Sequence, residues 1–205
     1  IPQFEAGLKN ELLTVEAFAE ALGRFFMDRW REVAADHDSG PPMQFIVGGY
    51  NEEAPYGEVY VISVPDRPSP EPRNPGDTNF GMTWGGQLGI VSRLTHGYDP
   101  QVIQIIGESL DVGSEKLETL ASTLRQKVEI PIPYALLPLQ DCVNLATFMI
   151  RTTMTAQDLS VTLRGVGGGI DVATISSTGS LHYIQQKKLY GENSHRGGSD
   201  GHTTN

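Results

Sequence analysis

Between Phe18 and Val33 the apolar residues Phe18, Leu22, Phe25, Phe26, Trp30 and Val33 return every three or four positions. Only a helix gathers residues so spaced onto one stripe, and such a stripe has to be buried. Thr14 is placed to cap the helix, with Leu13 and Phe18 flanking the cap as a hydrophobic staple, so a helix is predicted over 14–35. The segment Phe4 to Leu13 reads as the end of an earlier helix. Two runs rich in β-branched and aromatic residues follow, Gln44 to Tyr50 and Glu58 to Val64, with Pro55-Tyr56-Gly57 between them. They read as an antiparallel pair of strands.

Beyond Val64 the pattern changes twice. Pro65 to Gly76 holds five prolines and reads as a surface loop, and Asn79 to Trp84 reads as a third strand closing at Gly85-Gly86. Helices then dominate. One is expected over Leu88 to Thr95 and another from Asp99-Pro100 through Leu110. A third is expected from Ser114 to Val128, with Ser114 as its cap, broken by Pro131 and Pro133. Leu139 to Thr155 is apolar on most sides, the pattern of a helix sandwiched between layers. The glycine-rich turn Gly165 to Gly169 leads into a strand over Ile170 to Ile175. Ser177-Thr178-Gly179 turns the chain into Ser180 to Ile184. Residues 191–205 are polar and rich in Gly and Ser, which predicts a disordered tail after a single domain spanning 1–190. Strands come in hairpin blocks rather than alternating singly with helices, which favours an antiparallel α+β layered fold over a doubly wound sheet.

Composition excludes several classes of function. A net charge of −10 opposes binding to nucleic acid or to anionic membranes. No apolar run reaches the roughly 20 residues of a membrane span. The start, Ile1-Pro2-Gln3-Phe4-Glu5, lacks the basic and apolar regions of a signal peptide, so a cytoplasmic protein is expected. Cys142 is the one cysteine, so the chain has neither an internal disulfide nor a cysteine metal cluster.

Gly48-Gly49 at the end of one strand, Gly85-Gly86 at the end of another, and a long helix leading to Gly167-Gly168-x-Ile170-Asp171-Val172-Ala173-x-Ile175 follow one another in an order that resembles the proteasome β-type subunits. These belong to the N-terminal-nucleophile (Ntn) hydrolases. The resemblance runs from Phe4 to Ile184, with extra helices around Pro100 to Pro133. It implies a four-layer αββα sandwich, assembly into homo-oligomeric rings, and hydrolysis of peptide bonds by an N-terminal Thr whose own amine is the base. It implies no cofactor and no metal. The nucleophile, its acidic and Lys supports and the oxyanion glycine all fall before the positions matched here, and no residue of this chain is assigned a catalytic role. At three accessory positions the chain departs from the catalytic pattern. Gln87 and Val166 stand where the family has Ser, and Leu163 where it has Asp. The subunit therefore either supports its nucleophile differently or is a non-catalytic member of a ring. A small-amide hydrolase of the wider superfamily is a third reading. A chain without the first strands of that fold is expected to expose sheet edges and to associate.

Other polar features have plainer readings. Gly165 to Gly169 lacks the Lys-Ser/Thr of a phosphate loop and precedes a strand, so it is a tight turn. Asp36-His37-Asp38-Ser39 is a solvated loop, since adjacent residues do not converge as a triad does. His96 and Asp99 are two potential ligands and do not make a metal site, and His195 and His202 lie in the tail. Cys142 is read as a small core residue and Asp171 as a buried carboxylate held by hydrogen bonds.

Overall fold

The computed structural model describes residues 2–8, 13–34, 40–73, 80–161, 165–178 and 181–187. The calls on Asp36-His37-Asp38-Ser39, Leu163 and the 191–205 tail lie outside the described residues. The architecture is mixed α+β. A helical pair, α1 (Pro2–Gly7) and α2 (Val15–Ala34), precedes a meander of β1 (Met43–Gly49), β2 (Glu58–Val64) and β3 (Arg67–Pro72). Four helices follow, α3 (Leu88–His96), α4 (Gln101–Leu110), α5 (Ser114–Val128) and α6 (Leu139–Asp158). A hairpin of β4 (Val172–Ile175) and β5 (Leu181–Gln185) ends the described chain.

The aromatic stripe makes α2 as expected. Thr14 caps it, its Oγ1 accepting the Ala17 N–H at 3.1 Å. Beside the cap, Leu13 is 39% exposed, and Phe18 takes Phe4 of α1 as an edge-on partner at 5.5 Å. The stripe covers one face of the sheet. Val15 and Ala19 of α2 meet Tyr60, Ile62 and Val64 of β2, with Phe26, Trp30 and Phe45 packed around them. Ala19 and Ile62 are fully buried, which makes this the centre of the core. β1 and β2 pair antiparallel from Met43↔Val64 to Gly49↔Glu58.

Two expectations on this sheet fail. The proline segment is not all loop, because Arg67–Pro72 forms β3 at the sheet edge. Prolines at 68, 70 and 72 fall at alternate positions, and Arg73, on the other parity, donates its N–H to the Val59 carbonyl at 2.8 Å. An edge strand tolerates missing donors on its outer side. The ladder is irregular between Val61 and Ser63. Here the Pro68 carbonyl approaches α2 so closely that any side chain at Gly23 would run into it. The expected strand over Asn79 to Trp84 is absent from the described residues 80–84. That stretch crosses the face opposite α2 instead of pairing along an edge. Phe80 meets Tyr56 edge-on at 5.2 Å, and a side chain at Gly85 would come 2.5 Å from Gln44 Oε1.

The later helices begin and end close to the expected residues. Asp99 Oδ1 accepts the Gln101 N–H at 2.9 Å and so caps α4. Ser114 does not cap α5: the cap position is Gly113, with no side-chain bond. α3 ends on Gly97 at φ 75°, where the left-handed backbone and the nearby Val128 carbonyl both exclude a side chain. Ile130 then donates to the Thr95 carbonyl at 2.9 Å, tying the end of α5 to the end of α3.

The expectation of a sandwiched α6 is not met. Met149, Thr153 and Gln157 are buried along one stripe facing α3, while Leu139 and Phe148 are 63% and 53% exposed. On another side Val143 and Phe148 share an open hollow with Val172 and Ile184 of the last hairpin.

Candidate functional site

A largely apolar concavity lies between α3, α6 and the crossing segment 82–87. It is a groove of about 270 Å³ walled by Met82, Trp84, Val91, Met149, Ile150 and Val166. Its floor is the α3–α6 contact. Val91, Ser92 and Thr95 of α3 are buried there against α6. The two threonines on this contact satisfy themselves locally. Thr95 Oγ1 donates to the Val91 carbonyl at 2.8 Å and Thr153 Oγ1 to the Met149 carbonyl at 2.9 Å.

Gln157 lies one turn beyond Thr153 on α6. It is 8% exposed, and its Oε1 accepts the N–H groups of both Gly165 and Val166 at 2.9 Å. The glycine-rich turn is thereby held against α6. On its other side it meets the start of α3, where a side chain at Gly165 would come 2.8 Å from Gln87 Nε2. Gln87 and Val166, far apart in sequence, both line the groove. The turn is no phosphate cradle: two of its amides are spent on Gln157, and β4 follows it rather than a helix.

No group lining the groove titrates, its polar side chains being Thr83, Gln87 and Thr153. The groove can bind an apolar group and offer amide and hydroxyl hydrogen bonds, but its own residues supply neither a base nor an acid. A hollow of about 420 Å³ between α2 and β3 is richer in charge, with Glu20, Arg24, Asp28 and Arg31, and lies on the outer surface. There Arg31 already meets Asp28 at 3.3 Å.

Apart from Gln87, the polar residues singled out in the sequence lie away from this groove or at its margin. His96 sits beside Trp84, ring centres 5.8 Å apart, with its Nδ1 buried and without a hydrogen-bond partner among the described residues. Asp99 turns to other partners. The Gln101 amide and then the Arg93 guanidinium, at 2.6 Å, hold its carboxyl below the usual range. Among the described residues no three His, Cys, Asp or Glu side chains gather as metal ligands.

Two readings are corrected. Cys142 is exposed on α6 rather than part of the core. Asp171 is not buried: its side chain is 46% exposed, taking the Lys187 N–H at 2.6 Å and its ammonium at 3.6 Å. The expected hydrogen bond is present, but at the surface. Gln157 and Thr153 were missed. Their signal was polar residues at i+4 and i+8 from Met149 on an otherwise apolar stripe.

Among the described residues no helix is long and apolar enough to cross a membrane. No family model, curated protein or solved structure matches the chain.

Proposed function

We propose that this chain is part of a cytoplasmic, proteasome-like Ntn-hydrolase subunit that assembles into a homo-oligomeric ring, with the nucleophile carried by residues outside it. The family activity is threonine-type hydrolysis of peptide bonds. The observation that carries the reading is the meeting of Gln87 with the Gly165–Val166 turn. These are the positions that the resemblance sets beside the nucleophile, and they are about 80 residues apart in the chain. The sheet gives further support. α2 covers one face of β1–β3, while on the opposite face Val61 is 4% and Ile46 46% exposed. A half-covered face of this kind suits a second sheet, as the αββα sandwich requires.

One observation favours a non-catalytic ring subunit as the second reading. Gln87 and Val166 replace the family's hydroxyls, and none of the side chains lining the groove is an acid or a base. The two readings separate on the natural protein with its upstream sequence. A Thr-directed covalent inhibitor should label an N-terminal Thr, Ser or Cys that opens a strand roughly 60 residues before Ile1. Labelling supports the peptidase. Rings without labelling support the scaffold. Neither rings nor labelling would sink both.

A further inference from the structure

The groove uses one side of α6, and a second hollow uses another. It lies between α6 and the last hairpin and measures about 390 Å³. Val143 and Phe148 of α6, with Val172 and Ile184 of the hairpin, give it apolar walls. Val172 pairs with Gln185, so the hairpin's wall stands at its open end, away from its turn. The volume falls in the range of small-molecule sites.

The polar residues that α6 adds between those walls all have a hydrogen-bond donor to give. Asn144, Thr147 and Arg151 line the hollow at i, i+3 and i+7. At 3.6 residues per turn they fall within about 60° of one another, with Val143 on one flank and Phe148 on the other. Asn144 Oδ1 accepts from Gln140 Nε2 at 3.0 Å, which leaves the Asn144 NH₂ as a donor. Among the described residues, that NH₂, the Thr147 hydroxyl and the Arg151 guanidinium have no hydrogen-bond or ion-pair partner. No carboxylate lines the hollow, and Gln185, the remaining lining residue, commits its Nε2 to the Ile170 carbonyl at 2.7 Å. Asp171, next to Val172 in the chain, is already taken up by Lys187. The chain has 25 acidic side chains against 15 basic ones, yet none of those acids pairs with Arg151. Its charge is left to attract an anion from outside.

We propose that this hollow binds a monocarboxylate with an apolar body. The planar fork of Arg151 holds the carboxylate, Thr147 and Asn144 donate to its oxygens, and the body lies against Phe148, Val143, Val172 and Ile184. One guanidinium matches one negative charge, and its fork matches two oxygens in a plane, which favours a carboxylate over a doubly charged phosphate. A free aryl or alkyl acid presents this chemistry, and so does the C-terminus of a peptide whose last residue is apolar. The inference stands apart from the proposed function and survives its failure.

The test is ligand-observed NMR on the 205-residue chain. Phenylbutyrate and N-acetylphenylalanine are the two acids, and their primary amides are the neutral controls. At least one acid should bind about tenfold more tightly than its amide, and Arg151→Gln should remove that difference. Arg151→Lys should restore part of it, since an ammonium keeps the charge without the fork. Binding of phenylbutyrate alone identifies a free acid, binding of N-acetylphenylalanine alone a peptide end, and binding of both the shared chemistry. Arg151 is exposed, so the variants should fold, and a thermal melt checks that they do. Thr147→Val keeps the shape, removes one donor and should weaken the acid severalfold, which gives an independent reading. Failure of both acids to bind, equal binding of acid and amide, or acid binding undiminished in Arg151→Gln would overturn the proposal.

Discussion

Gly23 shows how one missing methyl group sets where an edge strand lies. A glycine inside a helix costs about 0.5–1 kcal/mol relative to alanine. Here that cost is offset by contact, because the Pro68 carbonyl occupies the space an alanine would need. Gly23→Ala should therefore destabilise the chain, by about 1–3 kcal/mol if β3 is pushed away. Gly89 in α3 has nothing within reach of a side chain, so Gly89→Ala should stabilise by about 0.5–1 kcal/mol. Urea unfolding of the two variants distinguishes contact from propensity. Tyr60 gives a prediction in pH. Burial first, and then its hydrogen bond to Glu58, push its phenol up to about 12. The unfolded chain loses that proton near the ordinary value of 10, while the folded chain keeps it. Stability should be intact below pH 10 and fall as pH rises from 10 to about 12. In Tyr60→Phe that alkaline loss should shrink in a melt series across the same window. The environment behind the shift joins remote elements. Glu58 also accepts from Asn51 at 2.9 Å, and Asn51 Oδ1 takes the first free amide of α2, Val15 N–H, at 2.8 Å. Nothing in the sequence marks Asn51 as a helix cap acting from 36 residues away.

At the scale of elements, Gln157 is the residue whose loss should be felt most. Replacing it with Leu keeps the bulk but leaves the amides of Gly165 and Val166 without their acceptor. An unfolding cost of about 1–3 kcal/mol is expected. Faster hydrogen exchange at those two amides would tie the loss to the turn. What could be read from the sequence at this scale followed local signals. α2, the β1–β2 pair and α3 to α6 announce themselves through periodicity and caps, since neighbours along the chain determine both. β3 did not, because proline content outweighs alternation unless the strand is known to lie at an edge. The segment 80–84 did not either: its residues suit a strand, but whether a partner lies beside it is a tertiary fact. The groove was half legible. Gln87 and Val166 were singled out through resemblance, whereas Thr153 and Gln157 are polar residues whose burial depends on the packing of α3 against α6.

At the scale of the molecule, the described residues leave apolar surface open on α6, on the α4–α5 hairpin and on the last hairpin, where Leu181, Tyr183 and Ile184 are all at least half exposed. The chain alone should associate in solution through these faces. A monodisperse monomer by light scattering would contradict this. The tie between Thr95 and Ile130 has a consequence for how the molecule could be divided. The chain leaves the body at the end of α3 and returns within one hydrogen bond of the same point. Everything from Tyr98 to Glu129 is therefore a closed excursion, a cassette whose two ends a short glycine linker could join. The α2–β1–β2 core has no residue in that stretch. Shortening the chain there should leave the core's melting cooperative, as a thermal scan of the trimmed chain would read.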